Sequence, residues 1–124
     1  MRKIMDAVLG IHAERSRQFE LIERARKRLM KWAQAENIPL RHVEFVVPFI
    51  ETDFSLSAWF FYSDELSVAS LEGDGTSRRV IQRFKLELAN AEYPTHWLSV
   101  VECRFASKEV VDRDYAGSYY HYVR

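Results

Sequence analysis

Phe54-Ser-Leu56-Ser-Ala58-Trp59-Phe60-Phe61-Tyr62 is the stretch on which the fold turns. Its even positions (Phe54, Leu56, Ala58, Phe60, Tyr62) form one apolar face at a period of two, the spacing of a β-strand. Trp59 and Phe61 are apolar on the opposite face. A strand with two apolar faces needs cover on both, from a helix or from a partner, and a homodimer is one way to supply it.

Upstream, Val43, Phe45, Val47 and Phe49 give a second period-two face over Val43–Phe49. Pro48 on the other register marks an edge strand or a strand end, because it has no N–H to donate. Glu51-Thr52-Asp53 is short enough to join the two as a hairpin. The first 36 residues read as helix. Ile4, Val8 and Leu9 form one short stripe. Phe19, Ile22, Leu29 and Ala33, with Ala25 and Trp32 alongside, form another. Gly10 either separates two helices or weakens one, and Asn37 before Pro39 ends the segment.

Downstream, Ser63–Gly73 admits two readings. Asp64 can cap a short helix that Gly73 ends, or residues 64–72 can hold a short edge strand; the helix is preferred. After the turn at Gly73-Asp74-Gly75, Thr76 or Ser77 can cap a helix with the stripe Val80, Ile81, Phe84, Leu88 and Ala91, which Tyr93-Pro94 ends. Val101, Cys103 and Phe105 share one face of a third strand. Ser107 is a good N-cap for a helix carrying Val110 and Val111, with Gly117 as its terminator. Tyr119–Val123 is rich in β-formers and reads as a last strand. The order α-β-β-(α)-α-β-α-β predicts one α+β domain over residues 1–124, with a mostly antiparallel sheet of about four strands.

Composition narrows the function classes. The 124 residues carry 18 Lys/Arg and 18 Asp/Glu, and a net charge of zero disfavours a dedicated nucleic-acid binder. A single cysteine rules out an internal disulfide framework. No apolar run approaches the roughly 20 residues of a membrane span, so a cytoplasmic protein is expected. The zero is a cancellation. Residues 1–31 hold nine cations against four carboxylates, residues 32–76 one against eight, and residues 77–124 eight against six. Arg24, Lys27, Arg28 and Lys31 share one helical face at i, i+3, i+4 and i+7, which suits either a solvated side or contact with an anionic surface.

No catalytic or metal-ligating set stands out. His12, His42, His96 and His121 are widely spaced, and neither a metal nor a cofactor is expected. Cys103 falls on the apolar register of its strand and reads as an inert core thiol. Gly73-Asp74-Gly75-Thr76-Ser77 lacks the Lys of a phosphate loop and reads as a turn. The remaining candidates are surface groups. Glu44, Glu51, Asp53, Asp64 and Glu65 cluster around the hairpin and the loop after it. Tyr119, Tyr120 and Tyr122 crowd the C-terminus, and Tyr is enriched at protein interfaces. Together they suggest a non-enzymatic module whose acidic, aromatic-rimmed face covers a basic partner. The alternative is a small enzyme or ligand-binding domain with a pocket of Trp59, Trp97, Tyr120 and His121.

The stretch Phe105-Ala-Ser-Lys-Glu-Val-Val-Asp-Arg-Asp-Tyr-Ala-Gly-Ser-Tyr-Tyr-His-Tyr-Val-Arg124 resembles the C-terminal end of small bacterial α+β immunity proteins of polymorphic toxin systems. Trp59-Phe-Phe-Tyr-Ser-Asp64 and Tyr93-Pro94 fit the same pattern, which covers about half the chain. The resemblance implies a cytoplasmic, non-enzymatic protein that blocks a toxin, without saying which; occlusion of a basic toxin domain is the form that the acidic, aromatic-rimmed face would suit. It transfers no binding residue.

Overall fold

A computed structural model describes the backbone of residues 2–124, with side chains at residue 10 and from residue 12 onward. The element order is α1 (Arg2–Ala35), β1 (Leu40–Val46), β2 (Leu56–Tyr62), α2 (Glu65–Gly73), α3 (Thr76–Asn90), α4 (Thr95–Leu98), β3 (Val101–Ser107), α5 (Lys108–Asp114) and α6 (Tyr119–Tyr122). The class is α+β. Among the described residues the sheet has three strands in the order β1-β2-β3, and it is mixed. β1 runs antiparallel to β2, with Val43 opposite Phe60, and a bulge near Arg41 shifts the register. β3 runs parallel to β2, with Phe60 beside Phe105. The sheet is thus half parallel, not mostly antiparallel as the element order suggests. The connection through α2, α3 and α4 is long enough to carry the chain back to the start of β2, as parallel pairing requires.

The even face of β2 is the core. Leu56, Ala58, Phe60 and Tyr62 are at most 1% exposed. α1 covers them with Ile22, Ala25, Leu29 and Ala33, and α3 with Val80, Phe84 and Leu88. Phe84 meets Phe60 edge-on at 5.4 Å and stacks on Phe45 at 5.8 Å. The Tyr62 hydroxyl reaches the buried Ser77 Oγ at 2.8 Å, so its polar tip is not left unpaired. The predicted α1 stripe is right except at Phe19, which is half exposed. The Ile4, Val8 and Leu9 stripe lies outside the described side chains. α1 continues through Gly10 as one helix, and Asn37 turns out of it in the left-handed conformation (φ 57°).

The odd face of β2 carries Phe61, which is fully buried, and Trp59. α5 covers it with Val111, and α6 with Tyr119 and Tyr122. The expected fourth strand, Tyr119–Val123, is therefore a one-turn helix. The chain leaves α5 through left-handed Ala116 (φ 52°) and Gly117 (φ 79°). Ser118 then caps α6, its side chain accepting from the His121 N–H at 3.1 Å. Burying two tyrosines against Phe61 outweighs their preference for strands.

Two other caps follow expectation. Asp64 starts α2 by accepting from the Ser67 N–H at 2.7 Å, so the ambiguous segment is helix from Glu65 to Gly73, and Ser107 starts α5 by accepting from the Val110 N–H. α3 differs, because Gly75 (φ 87°) precedes it. Neither Thr76 nor Ser77 caps it, and the Thr76 N–H is taken by Asp74 at 2.9 Å. β1 ends at Val46, short of Pro48, so Phe49 leaves the predicted strand face and lies fully exposed.

Candidate functional site

The residues between β1 and β2 form a loop built around one buried cation. Arg15 on α1 is 7% exposed. Its guanidinium donates to the backbone carbonyls of Pro48 (3.2 Å), Ile50 (2.8 Å) and Asp53 (2.9 Å), and to Gln18 Oε1 (2.8 Å). The fully buried Gln18 donates in turn to the Phe54 carbonyl (3.1 Å) and the Tyr93 hydroxyl (3.0 Å). A buried charge is tolerable only when its donors are satisfied, and here carbonyl dipoles replace a carboxylate. Phe54 stacks on Trp97 at 4.2 Å and closes the base of the loop. His12 pairs with Glu51 at 2.8 Å on its outer side. The loop backbone is thus pinned at three carbonyls, and it presents Phe49 (fully exposed) and Ile50 (66% exposed) to solvent.

The predicted acidic cluster has a different fate. Glu44 accepts from His42 Nε2 at 2.7 Å, and Glu51 is held by His12. Asp53 accepts from the Ser55 N–H, and hydrogen bonding from Ser55 holds its carboxyl below the usual range. Asp64 is the α2 cap and is lowered in the same way by Ser67. Glu65 lies 3.6 Å from Arg113. These carboxylates lie on β1, on the loop and at the start of α2, each with a local partner.

The tyrosines divide as well. Tyr119 stacks on His42 at 3.9 Å, and Tyr122 sits edge-on to Trp59 at 5.6 Å, both as cover for the odd face of β2. Tyr120 alone is mostly exposed, with the Arg124 guanidinium 3.8 Å above its ring. The alternative pocket is not assembled. Trp97 packs into the core beneath the even face, Trp59 lies on the odd face, and Tyr120 and His121 point to solvent.

Cys103 packs at the edge of the core, and burial pushes its thiol up to about 11, which suits a packing residue rather than a nucleophile. Among the described residues no three His, Cys, Asp or Glu side chains converge as a metal site. No described helix is long and apolar enough to cross a membrane.

Sequence reading missed Arg15 and Gln18. Their signal was present: both fall in register with Ile22, Ala25 and Leu29, so a charged and an amide side chain occupy the buried stripe of α1. Polar residues on that register need partners in the fold, and the loop supplies them. No family model matches this chain, and no curated protein or solved structure matches it either.

Proposed function

We propose that this chain is a non-catalytic binding domain that grips a protein partner through the loop between β1 and β2. One observation carries the reading: Phe49 and Ile50 are held out to solvent on a backbone fixed by the buried Arg15. Apolar side chains on a pinned loop lose little freedom on docking, which is how an aromatic anchor converts its buried area into affinity. Asp53 on the same loop, its carboxyl held below the usual range by Ser55, adds a local negative charge that favours a basic partner. Occlusion of a toxin is the specific form implied by the resemblance of residues 105–124.

The test is affinity capture from extracts of the source organism at low salt, with wild type, Phe49→Asp and Leu66→Asp as baits. Leu66 is another strongly exposed apolar residue, on α2 and away from the loop. A partner retained by wild type and Leu66→Asp but lost by a well-folded Phe49→Asp is the expected result. Equal recovery on all three baits, or no specific chain on wild type, overturns the proposal.

A further inference from the structure

We infer that the groove between the C-terminal half of α1 and the start of β1 receives an extended acidic peptide segment with aliphatic side chains. The groove, about 820 Å³, has an aliphatic floor of Met30, Ile38, Pro39 and Leu40. Its rim carries Lys27, Lys31 and Arg41, all exposed, together with Arg26. Arg26 is already held by Glu23. Among the described residues Lys27, Lys31 and Arg41 pair with no carboxylate; Arg41 donates only to Ser63 Oγ, at 2.7 Å.

No carboxylate lines the groove, although the chain as a whole has as many carboxylates as cations. Glu23 holds Arg26 and acts at longer range on Lys27, which leaves an excess of cations over carboxylates along the rim; that excess calls for an anion, and the floor decides which kind. It contains no aromatic ring on which an unpaired nucleic-acid base could stack, so only phosphate contact would remain for a nucleic acid. An aliphatic floor buries Leu, Ile or Val side chains instead. From Arg26 to Gln34 the helical wall runs about 12 Å, the length of roughly four extended residues. The side-chain amides of Gln34 and Asn37 line the same groove and can serve the backbone of such a segment. The groove shares no residue with the Phe49 loop, so this site stands or falls separately from it.

Fluorescence anisotropy on the full chain tests it, with a labelled six-residue peptide of alternating Glu and Leu as probe. Salt-sensitive binding is expected, about ten-fold weaker in Lys27→Gln/Lys31→Gln and unchanged in the charge-matched Arg104→Gln/Arg124→Gln. An all-Glu peptide of the same length binds more weakly. The inference is overturned if both double variants lose equally, if the all-Glu peptide binds as well, if a twelve-residue oligothymidine binds more tightly than the peptide, or if nothing binds at low salt.

Discussion

Phe60 and Phe61 are neighbours in the chain and both are 0% exposed, yet the molecule buries them by different means. Phe60 faces α1 and α3, helices of 34 and 15 residues whose stripes interlock over the sheet. Phe61 faces Val111 of the seven-residue α5 and the tyrosines of a four-residue α6 at the end of the chain. Fractional burial does not distinguish the two. What does is how much structure must move before each ring meets water. Opening the Phe60 side means unfolding the domain. On the Phe61 side, fraying one capped turn is enough.

The largest perturbation tests the deep side. Phe84→Ala should cost about 3–5 kcal/mol and shift a single cooperative unfolding transition, read by chemical denaturation. Truncation after Gly117 removes Tyr119, Tyr122 and Val123 from above Phe61. It should cost about 2–3 kcal/mol and increase binding of a hydrophobic dye while near-native cooperativity remains. If the truncation costs as much as Phe84→Ala, the two sides are one unit and the contrast fails.

Cys103 sharpens the comparison. With its thiol pushed up to about 11, its thiolate population at pH 8 is about a hundred-fold below that of an ordinary cysteine near 9, and its alkylation should be slower by about that factor. It packs on the even side, so truncating α6 should leave that rate unchanged. The smallest effect is expected for Tyr62→Phe, about 1 kcal/mol from the lost hydrogen bond to Ser77, with no change in the odd face.

The same contrast separates what was legible in the sequence from what was not. The β2 alternation, the α3 stripe and the caps at Asp64 and Ser107 were readable, because burial there follows a fixed period and each cap acts within three residues. Tyr119–Val123 was misread, because β propensity is a local preference and the deciding contact, with Phe61, is remote in sequence. Parallel pairing escaped for a related reason: strand direction depends on where a long connection returns. At the candidate site the acidic residues were visible, but their partners were not. Phe49 looked like part of a strand because its parity matched Val43 and Phe45, and only the end of β1 at Val46 moves it to the loop. Arg15 needed a question that periodicity does not ask, namely what a cation on a buried register would bind.

The parallel junction of β2 and β3 also imposes an order in time. β1 and β2 need only a short loop to meet, and α1 precedes them directly. Val101 joins Leu56 across the whole α2–α4 connection, and the entropy of closing that long connection is lost before any of its pairing is gained. β3 is therefore expected to dock last, and a substitution in it such as Val101→Ala should speed unfolding more than it slows folding. Until it docks, one edge of the Trp59-Phe60-Phe61-Tyr62 segment stands open. With that edge open the most apolar strand would be a template for other chains, so refolding yield is expected to fall with protein concentration more than the final stability would suggest.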